Sequence, residues 1–142
     1  MLEAILAADI YLTLGGWSYH HERKYYKCSE RSVNGAVFCK DSDFNESHNS
    51  IILDYNGYTI GAFRNSFNKR TKLFGYTYRM KNNFSVGAYY GTGYRDFKYD
   101  NTKCSIHLLD ECLLITASYS FEPFKISLMG DTLAASFEFK LR

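Results

Sequence analysis

Apolar and polar residues alternate in short runs along most of the chain, with a period of two. That period puts successive side chains on opposite faces of an extended backbone, so each run reads as a β-strand with one apolar face. In residues 84–94, Phe84, Val86, Ala88 and Tyr90 oppose Ser85, Gly87, Tyr89 and Gly91. At the C-terminal end, Leu133, Ala135, Phe137, Phe139 and Leu141 alternate with Ala134, Ser136, Glu138, Lys140 and Arg142. Eight strands are predicted, over about 9–19, 48–55, 58–65, 72–80, 84–94, 112–121, 124–129 and 133–142. In the first, Ile10, Leu12 and Leu14 face one way, and Tyr11, Thr13 and Trp17 the other.

The breaks between runs are of two kinds. Asn56-Gly57 separates two alternating segments and is a strong signal for a type I′ hairpin, whose central residues both need positive φ. Lys81-Asn82-Asn83, Glu122-Pro123 and Gly130-Asp131-Thr132 are further tight turns. Longer polar stretches cover 20–44 and 95–111, and a polar knuckle runs from Arg64 to Lys69. Short turns mostly at one end and longer loops at the other predict an all-β fold. The expected architecture is an eight-stranded antiparallel up-and-down β-barrel of outer-membrane type, spanning 1–142 as one domain. Strands of nine to eleven residues suit a tilted membrane crossing. A soluble barrel or sandwich shares the alternation with the apolar face turned inward, and the pattern alone leaves both open.

Composition sharpens the fold more than the function. The chain has 13 Tyr, 11 Phe, 10 Gly and a single Pro, a balance that favours pleated surfaces over helices. No run of eighteen apolar residues occurs, so no transmembrane helix is expected. Residues 1–8 are too short for a whole signal peptide and carry Glu3; they read as a signal-peptide remnant or a disordered tail. The net charge of +2 gives no footprint for nucleic acid. Its cations concentrate around the knuckle, at Arg64, Lys69, Arg70 and Lys72.

Four cysteines form two local pairs, Cys28/Cys39 and Cys104/Cys112, each bracketing a loop-like segment. Three connectivities are possible for four cysteines, and the local one costs least loop entropy. Paired, they imply an oxidising compartment; unpaired, four thiols in a cytosolic protein. Neither spacing is a metal pattern, and His48 and His107 stand apart, so no metal and no cofactor are expected.

Phe63-Arg64-Asn65-Ser66-Phe67-Asn68-Lys69, followed by Phe74-Gly75-Tyr76-Thr77-Tyr78, resembles a segment of the lipid A palmitoyltransferase (PagP-like) barrels. Phe44-Asn45-Glu46 is similar to the motif that closes that family's first outer loop, and Trp17-Ser18-Tyr19-His20-His21 to its tryptophan-histidine. The likeness runs from Trp17 onward, but only 63–69 is distinctive. It implies an outer membrane enzyme moving an acyl chain from a phospholipid to lipid A, with lipid as partner, working as a monomer. The family's serine falls on Ser66, and its histidine on His20 or His21, of which strand parity puts His21 beside Trp17 and Tyr19. Its aspartate position holds Asn65, which orients a histidine by hydrogen bond rather than by charge. Arg64, Lys69 and Arg70 are candidates for the phosphates of lipopolysaccharide. Asn65 and Ser66 also suit a plain turn, Asn45 and Glu46 a loop brace. The alternative function is a non-catalytic barrel: a phage-encoded or bacterial surface or ligand-binding protein, or a soluble periplasmic or virion-associated component.

Overall fold

The computed structural model describes residues 8–20, 24–30, 37–92, 106–108, 111–130 and 132–142. All its regular elements are strands: β1 (Ile10–His20), β2 (Lys24–Glu30), β3 (Val37–Asp43), β4 (Ser47–Tyr55), β5 (Tyr58–Arg64), β6 (Arg70–Arg79), β7 (Phe84–Gly91), β8 (Ile106–Leu108), β9 (Glu111–Phe121), β10 (Phe124–Met129) and β11 (Thr132–Lys140). Eight of these, β1, β4, β5, β6, β7, β9, β10 and β11, pair in that order, and β11 returns to β1. The result is a closed, antiparallel, up-and-down barrel, as the alternation predicts. Closure satisfies backbone groups that an open sheet would leave at its edges.

The two long segments expected as loops are not wholly irregular. β2 and β3 pair into a separate two-stranded ribbon, and β8 lies along the loop end of β9. The period of two that marks the barrel strands is missing from these segments, so alternation did not single them out. At the other end the turns behave as expected. Asn56 and Gly57 take φ of 51° and 88°, the type I′ signature, and Asp54 Oδ1 accepts the Gly57 N–H at 2.8 Å.

The apolar faces of the strands point outward. Tyr58 is 70% exposed and Phe74 60%, with Ile51, Ile60, Val86, Ile126 and Leu133 also exposed on the same outer surface. Inward positions are polar: Thr13, Ser50, Asp54, Thr59, Thr77, Ser118 and Glu138 are buried. Rings gather on the outer surface near the tight turns, where Phe84–Tyr119, Tyr119–Phe121, Phe121–Phe124 and Phe124–Phe137 make a continuous run of contacts with centroids 4.8 to 6.2 Å apart. The barrel is therefore inverted relative to a soluble one, with its polar side chains as filling.

At the tight-turn end that filling is ionic. Arg79 bridges Asp54 at 3.1 Å and Glu138 at 3.0 Å, while Lys125 reaches Glu138 at 2.8 Å. Ser120 donates to Glu138 at 2.7 Å, and the Arg79 guanidinium lies 3.5 Å from the centroid of the Tyr11 ring. Two cations facing two carboxylates close the floor of the barrel. Sequence reading passed over this cluster, although Asp54 and Glu138 each stand between two apolar neighbours in a strand, which is how an inward charge in an inverted barrel looks.

One irregularity decides what the loop end contains. Between Leu14 and Trp17 the register of β1 slips by a residue against β11, and it also slips against β4. Gly15 and Gly16 take φ of 71° and 134°, which side chains other than hydrogen adopt poorly. Before the bulge Thr13 points inward; after it Ser18 and His20 do, while Trp17 and Tyr19 face out. The expectation that Thr13 and Trp17 share a face is thus corrected, because an added residue exchanges the two faces downstream.

Candidate functional site

The knuckle between β5 and β6 is built by Asn65. Its Oδ1 accepts the backbone N–H groups of Phe67 at 3.0 Å and Lys69 at 2.9 Å, and its own N–H reaches the Lys69 carbonyl at 2.7 Å. A short amide that bonds the backbone two and four residues on is the usual device for a compact polar turn. The turn holds Ser66 inward, 7% exposed. Phe44-Asn45-Glu46 braces this turn from the other side. The Asn45 N–H donates to the Ser66 carbonyl at 2.6 Å, its side-chain amide to the Asn65 carbonyl at 3.2 Å, and the Glu46 carbonyl accepts the Ser18 N–H at 2.9 Å. The three pieces that carry the family resemblance therefore meet in space.

His20, wholly buried at the end of β1, completes the arrangement. Its Nε2 lies 2.7 Å from Ser66 Oγ, and its ring stacks on Phe44 with centroids 4.5 Å apart at 15°. Phe67 packs on Phe44 in turn, and with Leu114 and Cys112 they form the apolar cluster of the loop end. A hydroxyl within hydrogen-bond reach of an imidazole, shielded by rings, is the geometry of an activated nucleophile and its base. Of the two candidate histidines the bulge brings His20 to the serine; His21 lies outside the described residues. Asn65 has its side-chain oxygen on the turn's backbone.

A second hydroxyl–imidazole pair stands beside the first, and sequence reading missed it. His48 Nε2 is 2.6 Å from Ser18 Oγ, and His48 Nδ1 is 2.6 Å from the Arg64 carbonyl oxygen. No local motif joins Ser18 to His48, which are 30 residues apart; they meet because β1 and β4 are neighbours. The only hint in sequence was the Gly15-Gly16 pair ahead of Ser18.

Ser18, His48 and Ser66 all line one cavity of about 150 Å³ in the barrel, whose walls include Ile52, Phe63, Leu73, Leu114 and Met129. Thr59, Thr77 and Tyr89 line it too, linked by hydroxyl contacts of 2.8 and 2.7 Å, as do Asp54, Arg79 and Lys125 of the ionic floor. Gly87 leaves the room that the Tyr89 ring occupies, in keeping with a crowded small barrel.

The cationic candidates sit on the outside. Arg64 and Arg70 are exposed and directly opposite across β5 and β6, flanking a shallow groove that Ile51 and Asn49 also line. Arg64 also bonds Asn68 at 3.1 Å. Lys69 is half-buried within the knuckle, and Lys72 is exposed on β6. Of the cysteines, Cys28 and Cys39 are direct partners across β2 and β3, a spacing of backbones that a disulfide spans. Cys112 is fully buried and disulfide-bonded, while Cys104 lies outside the described residues. His107 has a described backbone, in β8, well away in sequence from the other histidines. Compared with known proteins, the chain matches no family model and no curated sequence.

Proposed function

We propose that this chain is a PagP-like outer membrane barrel that transfers an acyl chain from a phospholipid to lipid A. The observation that carries this reading is the 2.7 Å contact between His20 and Ser66, buried against Phe44 at the loop end of an inverted barrel. In this reading His20 Nε2 takes the Ser66 hydroxyl proton as Oγ attacks the ester carbonyl of the donor. The proton passes to the departing lysophospholipid alkoxide, and the acyl-serine then yields its chain to a lipid A hydroxyl by the reverse sequence. Asn65 supports the site as the organiser of the turn that presents Ser66.

Three features support the setting. The outward belt of apolar and aromatic side chains suits a hydrocarbon surround. Arg64 facing Arg70 is a like-charge pair across a ladder, unfavourable alone and relieved by an oxyanion such as a lipid phosphate. The local cysteine pairs fit an oxidising compartment beyond the inner membrane.

A non-catalytic surface barrel is the second reading, favoured by one feature: where the family has a carboxylate, this chain has an amide whose oxygen is engaged by the backbone. Mass spectrometry of lipid A from Gram-negative cells expressing the chain, beside Ser66→Ala, separates the two. An added acyl mass with the wild type alone establishes the transferase. No addition, with the barrel folded in the outer membrane, leaves the binding role.

A further inference from the structure

We infer that Ser18 and His48 form a second esterolytic pair, acting on carboxylic esters of short apolar acids with water as acceptor. The argument starts from the tautomer. A carbonyl oxygen only accepts, so the 2.6 Å contact from His48 Nδ1 to the Arg64 carbonyl puts the proton of the neutral ring on Nδ1. Nε2 then carries the lone pair, and the group 2.6 Å away is the Ser18 hydroxyl. The base is thus aimed at its nucleophile by a third group that no rotamer change can remove, because that group is backbone. Phe63, edge-on at 6.2 Å between centroids, backs the ring.

The bulge packs against the base. A Cβ on Gly16 would sit 3.4 Å from His48 Cβ, in ordinary contact, and Ser50 Oγ donates to the Gly15 carbonyl, which ties the bulge to β4. A histidine serving only as a strut needs no free space beside its hydroxyl partner. Here both partners face the cavity of about 150 Å³, whose lining combines Ile52, Leu73 and Met129 with hydroxyls such as Thr13, Ser50 and Thr59. The apolar part of that wall accommodates a short aliphatic chain, and the pair beside the cavity selects the ester bond that joins the chain to its alcohol.

The step balances without a further reagent. Ser18 Oγ forms a bond to the ester carbonyl carbon, His48 Nε2 takes the hydroxyl proton, and the alkoxide leaves with that proton. Water then attacks the acyl-serine with His48 again as base, releasing the carboxylic acid and restoring the hydroxyl. Lipid A takes no part, so this activity stands or falls separately from transfer at Ser66.

The test is covalent capture. The full chain, refolded in detergent, is treated with a short-chain alkyl fluorophosphonate, in which the serine oxygen displaces fluoride at phosphorus and the histidine takes the proton. Peptide mass spectrometry locates the adduct. Ser18 is expected to carry it, in Ser66→Ala as well as in the unaltered chain. His48→Asn keeps an N–H near the Nδ1 position to hold the Arg64 carbonyl but deletes Nε2; it should lower Ser18 labelling at least tenfold while keeping the heat-modifiable mobility of a folded barrel. Labelling of Ser66 alone overturns the inference and leaves the transferase reading standing. So does the absence of any Ser18 adduct in folded protein, or a Ser18 adduct that His48→Asn leaves unchanged.

Discussion

The two ends of this barrel are both filled with polar side chains, yet they are built for different things. At the tight-turn end Arg79, Lys125, Asp54 and Glu138 are ions matched to one another over 2.8 to 3.1 Å. At the loop end the polar groups are neutral or neutralisable, two serines each 2.6 to 2.7 Å from an imidazole, and they border a cavity. Matched ions in a low-dielectric interior resist any rearrangement, because moving one strands the others. A hydroxyl–imidazole pair is neutral at rest and can move a proton as the oxygen attacks an electrophile. The comparison sets a floor of matched ions against a rim whose groups suit proton transfer.

The largest expected effect breaks the floor. Glu138→Ala removes the carboxylate shared by Arg79 and Lys125, and should cost about 3 kcal/mol or more. Urea unfolding in lipid vesicles, followed through Trp17, reads it; a loss under about 1 kcal/mol would show that the floor is not the structural end. Next comes the bulge. Gly16→Val asks a β-branched residue to hold φ near 134°, at a cost of about 2 kcal/mol, and should also withdraw His20 from Ser66. Unchanged stability on the same assay would mean that β1 keeps its two faces without the glycine.

Smaller effects sharpen the rim. Asn65→Ala strips the acceptor from two turn N–H groups and should cost about 1 to 2 kcal/mol, whereas Asn65→Asp keeps an acceptor oxygen and should cost less than half as much. Equal losses for the two would deny that the side-chain oxygen organises the turn. The smallest stability change is expected for Ser66→Ala, about 1 kcal/mol or less, since a single hydroxyl contact is lost. If that variant unfolds as readily as Glu138→Ala, Ser66 belongs to the scaffold and the contrast between the ends fails.

Much of this was legible in one dimension because a strand's requirements are local. Alternation between apolar and polar residues names the strands wherever one face meets a different surrounding from the other, and Asn56-Gly57 names its turn by backbone conformation alone. Segment 63–69 and Ser66 stood out through the resemblance of that stretch, and the turn it makes is local as well, because Asn65 bonds its own backbone. What escaped were groups whose role depends on a partner far along the chain. Asp54, Arg79, Lys125 and Glu138 come from four strands, and Ser18 meets His48 only across β1 and β4. The β2–β3 ribbon escaped because its residues do not alternate between apolar and polar.

By itself, then, the sequence determined the strand count of the barrel, its turns, the alternation that makes an inverted or an ordinary barrel, and the serine-bearing knuckle. Tertiary structure decided the rest. Closure into a ring decided which face is outside, since the same alternation can be wrapped either way. The slip at Gly15 and Gly16 decided that His20 is the histidine that meets Ser66, because a strand's two faces exchange with every added residue and only pairing with β11 reveals that one has been added.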